Sequence, residues 1–184
     1  KGVEYLREKF GEMVVQAIDV VAENNHVNLE DIKIEKQKGG AIEDSELIKG
    51  IVLDKERISQ EMPIRVNEAR IALIEEALEI HGPETEAKIA VSTPDQLQSF
   101  LNQEDSILRS KVDKIKESGA NVLFVQKGVD ELVQYYLAKA GIYAVRRVPK
   151  SDMQNLAKAT GGRIVSKLTE IDGSDLGYAE YVEE

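Results

Sequence analysis

The sequence predicts an α/β fold, and three observations carry that prediction. Between Asn121 and Val165 short apolar runs alternate with helical repeats. Thr93-Pro94-Asp95-Gln96 opens a helix with a hydroxyl at the N-cap and proline at the first helical position. Gly119 stops that helix, and Gly161 stands where a later one would close in left-handed geometry.

In chain order, Val3, Leu6, Phe10, Met13, Ala17 and Val20 recur at steps of three and four, widened by Val14, Ile18 and Val21, and predict a long amphipathic helix. Glu23-Asn24-Asn25 ends it, with residues that tolerate left-handed backbone. Ile32, Ile34 and Lys36 alternate with polar neighbours, Gly39-Gly40 punctuates, and Leu47 to Leu53 is apolar, so 32 to 53 reads as β structure. The run from Asp54 to Met62 is polar, ends at Pro63 and reads as a surface loop. Ala69 to Ile80 fits a helix by periodicity and also a strand at 71 to 74 with a second at 77 to 80. Lys88 to Val91 reads as a short strand, and a helix runs from Pro94 to Ser118. There follow a strand at Asn121 to Gln126, a helix at Val129 to Ala140, a strand at Ile142 to Val148, a helix at Asp152 to Ala159 capped by Ser151 and Gln154, and a strand at Arg163 to Val165. This order implies parallel strands joined by helical crossovers. Leu168 to Glu184 carries only weak strand and turn signals.

The chain has 184 residues, enough for one sizeable domain with an appended piece. Lysine and arginine total 24 against 34 acidic residues, and the net charge of -10 opposes nucleic acid and anionic membranes as partners. No long apolar run and no signal-like N-terminus are present, which reads as cytoplasmic. Without cysteine there is no disulfide framework, and His26 and His81 supply no zinc set, so no metal is expected.

Catalytic motifs are missing too. Gly39-Gly40 lacks the lysine and hydroxyl of a phosphate loop, and Gly161-Gly162 follows a helix rather than opening one. No nucleophile stands with a base, and His26 and His81 lie in polar turns. Glu43-Asp44-Glu46, Glu75-Glu76 and Glu183-Glu184 read as solvated faces. The helix from Pro94 is unusual: Leu97, Phe100 and Leu101 share a face, a polar run from Asn102 to Ser106 interrupts, and Ile107, Leu108, Val112 and Ile115 resume the stripe.

Three stretches carry a resemblance: IKIEKQKGGAIEDSELIKGIVLDKE at 32 to 56, GANVLFVQKGVDELVQYYLAKAGIYAVRRVPKSDMQNLAKATGGRIV at 119 to 165, and DLGYAE at 175 to 180. Together and in this order they resemble group II chaperonins, the thermosome and its eukaryotic cytosolic relatives. Val125, where many relatives carry cysteine, and the acidic Glu75-Glu76 are local departures.

The resemblance implies an apical domain with a β-sandwich core, flanking helices and a helical protrusion at about 92 to 118. Residues 1 to 31 would belong to the intermediate domain, 32 to 176 to the apical domain, and 177 to 184 to the returning intermediate segment. It also selects the split-strand reading of 69 to 80. The implied function is to bind non-native polypeptide and to form part of a built-in lid, beside sister subunits in a double ring. Leu97, Phe100, Leu101 and Ile107 would form the polypeptide-binding and lid surface. Asp130, Gln134, Tyr135, Arg57 and Ile58 would border a client groove. Lys1 matches a nucleotide-sensing lysine of the whole protein. The equatorial ATPase domain would be absent, so this fragment would be no enzyme and would need no cofactor, with ATP and Mg confined to the full-length protein. The alternative from the alternation at 121 to 165 is a small α/β nucleotide-binding or hydrolase domain.

Overall fold

The computed structural model describes residues 2 to 80 and 93 to 184. The predicted strand at 88 to 91, His81 and Lys1 lie outside the described residues. Two compact units divide between Leu53 and Asp54.

The first unit is built on helix α1, Gly2–Val21. Its less exposed positions, Leu6, Met13, Ala17 and Val21, follow the predicted stripe. Asn24 and Asn25 both take left-handed backbone, at φ 51 and 64, and turn the chain so that Glu23 and His26 exchange backbone hydrogen bonds. The β structure expected at 32 to 53 is not formed. Short 3-10 turns at Leu29–Asp31 and Ile42–Asp44 and irregular backbone take its place. The alternation had no neighbouring strand to pair with, and Ile34 is 81% exposed. No described side chain from residue 4 to residue 53 is buried.

The second unit holds the core. Its strands are β1 (Arg65–Ile74), β2 (Val122–Val125), β3 (Tyr143–Val145), β4 (Ile164–Val165) and β5 (Gly177–Glu183). Its helices are α2 (Pro94–Ser118), α3 (Glu131–Lys139) and α4 (Lys150–Thr160). The sheet runs β3-β2-β1-β4, all parallel, with β5 antiparallel to β1. Strands buried on both faces read as continuous apolar runs: Ile71 to Ile74 and Val122 to Val125 are all buried. Leu108, Val112 and Ile115 of α2, and Val133 and Leu137 of α3, complete a shared core cluster with Leu123, Val125 and Ala144.

Thr93 caps α2 by accepting from the Gln96 amide, and Gly119, at φ 87, closes it. Gly161, at φ 72, closes α4. That helix begins at Lys150 instead of Asp152, directly behind Pro149, without a side-chain cap from Ser151.

The β-sandwich core expected from the resemblance is corrected by this sheet. An antiparallel sandwich needs two facing sheets, whereas the described residues form one five-stranded, mostly parallel sheet with helical crossovers. The α/β class and the helical flanks remain; the sandwich, and the apical-domain fold it stood for, do not.

β4 and β5 share one edge of β1. Gly177 is opposite Ile71, while Ile164 is opposite Leu73, so the residues entering β4 converge on the start of β5. A Cβ on Gly162 would lie 2.8 Å from the Gly177 amide nitrogen, and one on Gly177 would strike the Thr160 side chain. Gly162→Ala should therefore cost about 1–3 kcal/mol, read as a lowered urea midpoint at unchanged slope.

Candidate functional site

Three surfaces of the second unit gather the sequence-derived candidates. On α2, Leu97 and Leu101 are one turn apart and 48% and 47% exposed, while Phe100 and Ile107 are half-buried. Seven residues beyond Leu101, at Leu108, the same helix enters the core. The break between the halves falls where the polar run interrupts the stripe.

On α3, Asp130 is spent as the N-cap, its carboxylate accepting from the Leu132 amide at 2.9 Å. Gln134 donates to the Val129 carbonyl at 2.9 Å. Tyr135 is 52% exposed and stands edge-on to Tyr136, ring centroids 5.4 Å apart. Leu132 is 42% exposed. The buried stripe centres on Val133, Leu137 and Ala138 and turns Leu132 outward beside Tyr135 and Lys139, at spacings of three and seven.

Arg57 and Ile58 lie at the β3 margin. The Ile58 amide donates to the Ala144 carbonyl at 2.9 Å, and the Arg57 amide donates to Glu184 Oε2 at 2.9 Å. Arg57 Nε is buried without an acceptor, 3.8 Å from the same carboxylate oxygen. Next to this pair, burial and then the Glu184 charge push the Tyr143 phenol above its usual range. Of the five groove candidates, Tyr135 offers the most exposed side chain; Asp130 and Gln134 serve the helix's own amino end.

The third surface lies beyond the carboxyl ends of the parallel strands. The order β3-β2-β1-β4 reverses direction at β1, the place where doubly wound sheets open a ligand crevice. A cavity of about 370 Å³ lies beyond β1 and β2, lined among others by Glu76, Glu79, Ile80, Ile107, Lys111 and Lys127. Across the β1–β4 boundary the Leu168 amide donates to Glu76 Oε1 at 2.8 Å, and Ser166 Oγ lies 3.4 Å from Glu75 Oε2.

A polyphosphate site needs converging free amides at a helix N-terminus. Here the Leu132 amide of α3 is taken by Asp130, α4 starts behind Pro149, and the crevice presents carboxylates beside its lysines. The described residues do not fit a triphosphate cradle, and no three acidic or imidazole side chains among them converge as a metal set.

All 184 residues match the family model of the TCP-1/cpn60 chaperonin family. The chain belongs to that family. It is 56% identical over 181 residues to thermosome subunit beta of Thermococcus kodakarensis, covering 98% of this chain and 33% of that protein. A thermosome subunit of Pyrococcus abyssi is 53% identical, covering 100% of this chain and 34% of the relative. The structure matches the open-state monomer of a group II chaperonin from Methanococcoides burtonii with a TM-score of 0.74 at 41% identity, over 100% of this chain and 40% of that one. This chaperonin chain thus spans about a third of the length of the curated relatives it matches.

The family expectation stands, and its placement as an apical, lid-forming domain is corrected by the sheet. The strand order is that of mononucleotide-binding units, a parallel sheet flanked by helices. The expectation that this fragment is no enzyme because nucleotide-type architecture lies wholly outside it falls on the same observation. So does the confinement of ATP and Mg to other parts of the full-length protein. No described helix is long and apolar enough to cross a membrane.

Asp175 is the one buried ionic side chain among the described residues. Arg163 Nε donates to its Oδ1 at 2.6 Å, and the Asp172 amide to its Oδ2 at 3.1 Å. The Arg163 bond holds the Asp175 carboxyl below its usual range, against the opposing effect of burial. A depressed carboxyl contributes stability that is present above the unfolded value of about 3.9 and is lost as pH falls through the lower folded value. Acid titration of the denaturation midpoint should show this loss below about pH 4, and Asp175→Asn should flatten that part of the profile while lowering stability at neutral pH.

Proposed function

We propose that this chain is a module of a chaperonin subunit that engages non-native polypeptide through exposed apolar side chains, working beside sister subunits in a ring. The observation that carries this reading is the divided face of α2: Leu97 and Leu101 open to solvent on a helix whose other half, at Leu108, Val112 and Ile115, is fully used by the core. Leu132 and Tyr135 add a second exposed apolar strip on α3.

Unfolded chains share exposed apolar surface and little else, so an apolar patch is the chemistry that recognises them without regard to sequence. Burying each leucine contributes about 1.5–3 kcal/mol before ordering costs, which makes single-subunit binding weak. Several copies around a ring would raise it by effective concentration. The thermosome identity of the relatives supports such an assembly.

A second reading, nucleotide binding at the crevice beyond β1, is favoured by the strand order, with the Lys111 and Lys127 side chains, in place of the helix-end amides that are not free here, as the groups that would meet a phosphate. It requires saturable heat when ATP and Mg are titrated into the chain, with loss of that heat in Lys127→Glu.

For the first reading the test is suppression of aggregation of a chemically unfolded client. The parent chain should suppress it, and the folded variant carrying Leu97→Ser, Phe100→Ser and Leu101→Ser should lose most of that effect. Equal protection by both would remove these residues from the client surface; loss only in Leu132→Ser with Tyr135→Ser would move the surface to α3.

A further inference from the structure

Midway along α2, three side chains form a closed polar cluster with α3. The Tyr136 hydroxyl donates to Asp105 Oδ1. Arg109 Nη2 donates to Asp105 Oδ2 at 3.2 Å and to the Tyr136 hydroxyl oxygen at 3.0 Å. The Arg109 guanidinium also stands over the Tyr136 ring, 4.9 Å from its centroid. Every member of the trio therefore touches the other two.

The position of this cluster along the helix is what gives it meaning. Asp105 and Arg109 are one turn apart and bracket the place where α2 changes character. On the carboxyl side Leu108, Val112 and Ile115 are buried; on the amino side residues 93 to 99 are all exposed. Eleven residues, Pro94 to Glu104, extend about 16 Å at helical rise. Apolar packing holds the far half of the helix, and the Asp105–Tyr136–Arg109 cluster ties α2 to α3 by side-chain hydrogen bonds at the boundary between the two halves.

We infer that Asp105, Tyr136 and Arg109 act as a clamp that fixes the root of the exposed half of α2 to α3, and so positions Leu97 and Leu101. This rests on the client-binding reading only for its consequence; the clamp itself concerns the order of a helix. Tyr136 is suited to the role because its half-buried ring is anchored beside Tyr135 while its hydroxyl reaches across to α2. The Tyr136 phenol is raised above its usual range, chiefly by its bond to Asp105, so it keeps its proton and remains a donor at neutral pH.

Amide hydrogen exchange on the full chain, resolved by segment, tests the clamp in Tyr136→Phe, Asp105→Asn and the double variant. Tyr136→Phe retains the ring over which Arg109 lies, and Asp105→Asn retains side-chain volume. Each single variant should speed exchange of residues 97 to 104 by about tenfold, with 108 to 118 and β2 unchanged, and the double variant should be little worse than either single one because the partners act as a unit. Unchanged exchange at 97 to 104, or acceleration shared equally by 108 to 118, would overturn the clamp. Because the readout uses no client, a failure of client binding in the parent leaves this result interpretable, and the clamp can fail while client binding stands.

Discussion

Everything in the second unit depends on β1 and on how its two edges are divided. On one edge Ile71 to Ile74 pair in register with Val122 to Val125. The other edge is shared: Arg65 to Ile71 take β5 antiparallel, and Leu73 and Ile74 take β4 parallel. Two strands of opposite direction can meet on one edge only if the backbone entering each passes close to the other. Gly162 and Gly177 permit that approach, and the Arg163–Asp175 pair fixes it, with the Arg163 amide also bonded to the Asp175 carbonyl. A buried carboxylate is costly unless bonded, and here its bonds join the two strand entries.

The helices follow from the same strand. A parallel neighbour requires a crossover, and α2 and α3 supply the crossovers that carry the chain from β1 to β2 and from β2 to β3. The carboxyl half of α2 is consumed by this duty, whereas its amino half exceeds what the crossover needs to cover. That surplus leaves Leu97 and Leu101 about half exposed to solvent. The exposed pair is thus a by-product of helix length relative to the sheet beneath it.

How much of this was legible in the sequence varied with how local the signal was. Thr93, Pro94, Gly119 and Gly161 mark helix ends through their own backbone preferences, and the structure ends its helices there. Asn24 and Asn25 likewise turn the chain where their tolerance of positive φ predicts. Non-local features fared worse. Ile32 and Ile34 alternate as a strand would, yet a strand exists only when another pairs with it. β5 reads as GYAEYVE, with only its first residue fully buried, so its membership is set by the edge of β1 rather than by its own pattern. The sandwich was carried by likeness to a family, and the actual strand order depends on which edges of β1 were free.

The β3 margin carries a consequence for a protein whose relatives are thermosome subunits. An open sheet edge templates further strands from any chain with unpaired backbone. β3 is only three residues long, and its central carbonyl, at Ala144, is already occupied by the Ile58 amide. This margin thereby offers little footing to the backbone ladders by which sheets grow from one molecule into the next.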